Sequence, residues 1–235
     1  MSKARWNRLA ARVKRCTKCP RLTEHCQTVS TVKRKSYLKE KYWGKPVPNF
    51  GTPNVGLLVV GLAPGAHGAN RTGRMFTGDR SGQWLYRAMH RAGFANQAHS
   101  ESRRDGLELI DSAITNICRC APPDNRPDKG ELANCQPFFA ETLELCDPIV
   151  VLALGSLAWK ATIPEIVQLD WLDQPRTRPK FFHGETVKLK EGRMMLGSYH
   201  PSQQNTFTGR LTEPMLDAVF HSAKKLIKKK RASNA

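Results

Sequence analysis

Apolar residues along this chain fall in short unbroken runs, separated by longer stretches of helical period. The first run opens at Val55 (VGLLVV) and stops at Gly61, where the composition turns to Gly, Pro, Ala, His, Asn and Arg. A run that short, bounded by turn residues, reads as a buried parallel strand. The helical pattern SGQWLYRAMHRAG (Ser81–Gly93) follows, with Asp79 or Ser81 placed to cap its start. A second strand is expected over Ala113–Ile117. A third, almost wholly apolar and hence central, covers Pro148–Gly155, and a fourth covers Arg193–Gly197. Glu131–Cys146 and the stretch opening at Ser156 read as helices between them. The last helix carries Met215, Leu216, Val219, Phe220, Ala223, Leu226 and Ile227 on one face.

The remaining stretches are less regular. Met1–Arg15 has helical spacing through Trp6, Leu9, Ala10 and Val13. Gln27–Gly51 has no clear period and reads as a basic, irregular excursion packing Tyr37, Tyr42 and Trp43 on the body. Gln174–Glu191 reads as a connection with one short strand, Thr186–Lys190. Four strands separated by helices predict an α/β fold, its parallel sheet covered on both faces. With 235 residues, one domain able to bury a real core is expected over 1–235. The polar, glycine-bearing segments follow strands one, two and four, at the carboxyl edge where such sheets build ligand crevices.

Charge sharpens this picture through its location. Of a formal net +18, residues 1–45 hold 14 Lys/Arg against Glu24 and Glu40, and KKLIKKKR (Lys224–Arg231) adds six more. The body between balances to zero. A neutral body with a basic N-terminal segment (1–50) and a basic C-terminal helix end (224–235) points to a polyanion, with nucleic acid ahead of an anionic membrane. A charged N-terminus without an apolar core argues against a signal peptide. No apolar run approaches the roughly 18 residues of a spanning helix. The protein is therefore expected in the cytoplasm, without membrane attachment.

In that compartment seven cysteines read as metal ligands or core residues rather than disulfides. Cys16 and Cys19 form a C-x2-C pair, while Cys120 and Cys135 flank the loop APPDNRP, which would let the chain double back. Four thiolates fit zinc or an iron–sulfur cluster, and spacing does not choose between them. Cys118 would point to the same side as Cys120 and compete for its role; Cys26 and Cys146 read as buried apolar residues. Gly68-ANRT-Gly73 has the glycine spacing of a phosphate loop, but Arg74-Met75 follows where Lys and Ser or Thr are needed, so triphosphate hydrolysis is a weak reading. His200, at the end of strand four, is placed to donate to developing negative charge or to act as acid or base. Asn116, at the end of strand two, has an amide suited to a nucleobase edge.

Together GLAPGAHGANRTGRMFTGD, the cysteines around CAPPDNRP, and YHPSQQNTFTGRLT resemble the uracil-DNA glycosylase superfamily over nearly the whole chain. The likeness is to family 5, related to the iron–sulfur family 4. It implies a three-layer α/β/α sandwich around a central four-stranded parallel sheet, with a [4Fe–4S] cluster on Cys16, Cys19, Cys120 and Cys135. It implies a monomeric enzyme that flips deaminated bases (uracil, and also hypoxanthine or xanthine) from double-stranded DNA, with single-stranded DNA a further substrate. Hydrolysis of the N-glycosidic bond would leave an abasic site for base-excision repair. By the same resemblance Phe76 would stack on the base, Asn116 would bond its edge, and His200 would stabilise charge on the departing base. The Gly61–Gly65 and Pro201–Ser202 turns would grip phosphates through backbone amides.

Two departures stand out. Where well-known relatives carry a water-activating Asp, this chain has Ala63, leaving Asn70 and Asp79 as candidates, with helix capping the competing role for Asp79. The wedge leucine after the HPS motif is replaced by Gln203-Gln204-Asn205, read here as a polar plug centred on Gln204. The competing class is a non-catalytic nucleic-acid-binding protein with a structural metal.

Overall fold

A computed structural model describes residues 2–172 and 178–233. Helices α1 (Ser2–Lys14) and α2 (Pro20–Val32) lead into strand β1 (Phe50–Gly51). Strand β2 (Leu57–Gly61), the short α3 (Ala69–Thr72) and α4 (Arg80–Arg91) follow, then β3 (Ser112–Asn116), α5 (Lys129–Cys146), β4 (Val150–Leu154) and α6 (Ser156–Gln168). The chain continues through β5 (Thr186–Lys188), β6 (Met194–Ser198), α7 (Gln203–Phe207) and α8 (Glu213–Ala232).

The sheet order is β1-β3-β2-β4-β6-β5. The expected four strands form its parallel centre, β3-β2-β4-β6. They are buried on both faces, which is why they read as unbroken apolar runs. Leu57 and Val59 face a layer built from α4 and α8, whereas Leu58 and Val60 face α1, α5 and α6. Each such side chain stabilises the fold by about 1.5–3 kcal/mol, so two independent cores clamp the sheet in three layers.

The periphery departs from the sequence reading. Antiparallel edges, β1 on β3 and β5 on β6, widen the sheet from four strands to six. Both are two or three residues long and only partly buried, too short to print a period. The strand expected to reach Lys190 ends at Lys188, because a 3-10 turn starts at Lys190. Residues 173–177 of the expected Gln174–Glu191 connection lie outside the described residues. The irregular stretch begins only after Val32, since α2 covers Pro20–Val32. That helix buries just Leu22 and Cys26, an i, i+4 pair that leaves most of its surface polar and its period weak. Farther on, Trp43 and Gly44 donate backbone bonds to Arg71 and Asn70, docking the basic excursion on α3. No helix among the described residues is long and apolar enough to cross a membrane.

Candidate active site

The carboxyl ends of β2, β3 and β6 open on one cleft of about 630 Å³, within the size range of small-ligand sites. Ala63, Gly65, Phe76, Asp79, Asn116, His200 and Ser202 all line it. Gly61 lies beneath: a Cβ there would overlap Asn116 Oδ1 and approach Phe76 Cζ to 2.9 Å. Only glycine lets those two side chains meet.

Asn116 is 1 % exposed. Its Nδ2 donates to Met75 Sδ at 3.1 Å, and its Oδ1 has no partner among the described residues. A buried, unpaired amide oxygen costs about 1–3 kcal/mol, so one facing a cleft is set to receive a ligand's N–H.

Phe76 holds a left-handed backbone, φ 51°, strained for an aromatic residue. The strain is held by a neighbouring buried network. Arg74 bonds Thr77 Oγ1 at 2.8 Å, Ser100 Oγ at 2.9 Å and Asp105 at 2.7 Å, and Tyr86 donates to Met75 O at 2.7 Å. Burial alone would raise the Asp105 carboxyl, but Arg74 and the amides of Leu107, Glu101 and Ser102 hold it well below the usual range. Arg74, which breaks the phosphate-loop pattern, is thus consumed in shaping the cleft wall.

The His200 ring lies 5.8 Å from that of Phe76, tilted 33°. Burial pushes its pKa down to about 4, so at neutral pH it is an uncharged imidazole able to donate one hydrogen bond. Asp79 caps α4 by accepting from Gly82 N at 2.8 Å. Its other oxygen faces Gly68, where any Cβ would overlap it. Burial raises the Asp79 pKa, opposed by the Gly82 amide, the Arg71 charge and the Ser81 amide.

Not every expected residue reaches the cleft. Asn70 is fully buried and turns its amide toward α2, donating to Cys26 O at 3.4 Å. It does not line the cleft, because the α3 turn carries it to the other side of the loop. Ser202 caps α7 through Asn205 N, and its own amide donates to His200 O at 2.8 Å. That amide, expected on a phosphate, is already engaged. Leu157 and Arg126 line the cleft without having been singled out; Arg126 belongs to the APPDNRP loop, whereas nothing in its local sequence marks Leu157.

The thiols gather beside this site. Cys19, Cys26, Cys118, Cys120 and Cys135 share one small cluster around Leu22 and Ala121. The Cys118 thiol donates to Cys120 O at 3.5 Å and the Cys26 thiol to Ala121 O at 3.6 Å, and the neighbouring Cys118 thiol holds the Cys135 pKa below its usual value. Cys16 lies outside that cluster, half-buried against the core beneath α1 and α5 and beside Arg12, Lys18 and Phe138. Among the described residues no three side chains are disposed to hold one metal ion. The donor chemistry nonetheless fits an anionic thiolate-bound group. Arg119, 1 % exposed, is a cation buried among Cys135, Cys118 and Cys146, and its Nε has no partner among the described residues. Cys146 lies apart in the core beneath α1 and α5, as expected.

Residues 48–224 match the family model described as the uracil DNA glycosylase superfamily. A type-5 uracil-DNA glycosylase of Mycobacterium leprae is 47 % identical over 220 residues, covering 93 % of this chain and 94 % of that protein. One from Thermus thermophilus is 42 % identical, covering 90 % and 93 %. A type-4 enzyme of Pyrobaculum aerophilum is 32 % identical over 63 % of this chain and 60 % of its own. By the family model and by these relatives, this chain belongs to the uracil-DNA glycosylase superfamily.

Proposed function

We propose that the protein is a monofunctional DNA glycosylase that hydrolyses the N-glycosidic bond of uracil, and of other deaminated bases such as hypoxanthine and xanthine, in DNA. The observation carrying this reading is the unpartnered, buried Asn116 oxygen facing a cleft walled by Phe76 and His200. An imide N–H of uracil satisfies that oxygen; cytosine and thymine are tested below.

A base stacked in a duplex cannot reach the cleft, so it must be extruded at a cost of a few kcal/mol. Phe76 then stacks on its face and Asn116 reads its edge. As the bond breaks, the sugar gains positive and the base negative charge. The neutral His200 donates to the base oxygen on which that charge collects. Asp79, with Asn70 turned away, is left to orient or deprotonate the attacking water.

The excursion from Lys33 to Lys45 flanks the cleft loop and supplies phosphate attraction that weakens with salt. Extrusion leaves a gap in the stack, and α7 presents two fillers. Gln204 is exposed, and Phe207 is 65 % exposed with the Arg80 guanidinium 4.2 Å from its ring centre. Replacing both by alanine should slow release from a U·A duplex about tenfold, the unstacking being worth a few kcal/mol. Release from single-stranded DNA should stay unchanged; equal losses on both substrates would remove the plug.

Cys16, Cys19, Cys120 and Cys135 would hold a [4Fe–4S] cluster, which would cross-link the α1–α2 turn, the β3 loop and α5. Iron and acid-labile sulfide in equal amounts are expected on analysis of the purified protein; stoichiometric zinc without sulfide would overturn this. The function itself is tested by base release from labelled duplexes carrying U·G, U·A, hypoxanthine·T, C·G or T·A, followed by alkaline cleavage. Release from the deaminated pairs alone is expected. No release from any pair, with DNA binding intact, would leave a binding protein.

A further inference from the structure

The basic excursion Lys33–Lys45 and the last turns of α8 lie at opposite ends of the sheet. The N-terminal excursion docks on the loop of the cleft, through Trp43 on Arg71 and Tyr42 on His67. Helix α8 instead runs away from it. Its last turns pack where the parallel strands begin: Ile227 against Gly56, just before β2, and Lys230 against Gly192, just before β6. Arg231 holds Asp111, just before β3, with two bonds of 2.8 Å.

On this far end Lys225, Lys228 and Lys229 are exposed and make no bond to a described residue. They follow His221 at i+4, i+7 and i+8, a single stripe on the helix. Of the acidic groups at that end, Asp111 is engaged by Arg231, and both Asp147 and Glu191 by Arg193. Asp217, farther up the same stripe, is held by Arg91. The three lysines are therefore a concentrated positive charge with no ion-pair partner among the described residues.

Its distance from the cleft decides what it serves. A five-residue strand is about 17 Å long, and the Debye length at physiological salt is about 8 Å. Phosphates of DNA held at the cleft are thus screened from the stripe. A duplex with a persistence length of about 150 base pairs does not fold around so small a body. We infer that the α8 stripe binds the backbone of a second segment of DNA, so that the protein bridges two segments and passes directly between them. This goes beyond base excision, since it concerns a face that the excision site does not use.

The test compares the full-length protein with a K225Q/K228Q/K229Q variant; glutamine keeps helix propensity. Dissociation of a labelled duplex of about 14 base pairs carrying U·G is followed against rising unlabelled duplex. For the wild-type protein the rate should climb with competitor concentration. In the variant that climb should fall about tenfold, and the salt exponent for the second duplex should drop by about 2.7 for three lost phosphate contacts. Single-turnover base release from the 14-mer should be unchanged. An unaltered competitor dependence would overturn the inference. So would an equal loss of base release, which would put the stripe in the substrate site, or binding of polyglutamate in place of a second duplex. Competitor-driven transfer by a wild-type protein that releases no base would sink the glycosylase reading and leave this one standing.

Discussion

Alanine at His200 should slow single-turnover base release by about 10²–10³-fold, the usual cost of losing one donor aimed at developing charge. Affinity for uracil-containing DNA should change little, since the ring lies in the cleft beside Phe76 rather than on the basic excursion proposed to meet the backbone. Rate and affinity measured separately check this, and comparable losses in both would make His200 a binding residue. The pH dependence adds a second constraint. Burial lowers the His200 pKa from 6.5 to about 4, so the folded protein keeps a neutral ring where the unfolded chain takes up a proton. This group's contribution to stability is complete above pH 6.5 and shrinks as pH falls toward 4. Between pH 5 and 8 the donor does not titrate. A midpoint near 6.5 in the wild-type rate that disappears in the alanine variant would contradict the neutral-donor mechanism.

The parallel centre of the fold was legible because each of its strands is buried on both sides and therefore apolar at every position. Elements that bury little left little trace: α2 shows only Leu22 and Cys26 to the core, and β1 and β5 pair through two or three residues. At the site, residue types at strand ends were enough to find Asn116 and His200. Their states were not readable. The unpaired Asn116 oxygen, the left-handed Phe76 and the neutral His200 all depend on side chains brought in from distant segments. Asn70 and Asp79 were equivalent as letters in one loop, and only the α3 turn separates them. The sulfurs tell the same story. Cys118 and Cys120 lie beyond β3, which ends at Asn116, so strand alternation does not set their direction; they fall in one cluster, and Cys26 joins them because α2 crosses that loop.

Replacing Asp79 with asparagine should lower base release by about 10²–10⁴-fold, the range for a positioned general base, while leaving the fold intact. Asparagine is as good an N-cap as aspartate, so the bond from Gly82 N survives and α4 keeps its start. The electrostatic sign favours the variant. The folded-state pKa of Asp79 is raised above the usual 3.8 by burial. Its contribution to stability is therefore present below that value and lost as pH rises through the folded pKa. Removing the charge at neutral pH should leave the thermal midpoint equal or slightly higher. The wild-type rate should fall on acidification with a midpoint above the ordinary carboxylate range, and this limb should be missing in the variant. Glycine-to-alanine at position 68 gives an independent check, because a methyl there overlaps the Asp79 carboxylate and should displace it with a similar loss of rate. An Asp79→Asn enzyme that releases uracil at the wild-type rate would reduce Asp79 to a cap, and the attacking water would then owe its orientation to the sugar and the cleft walls alone.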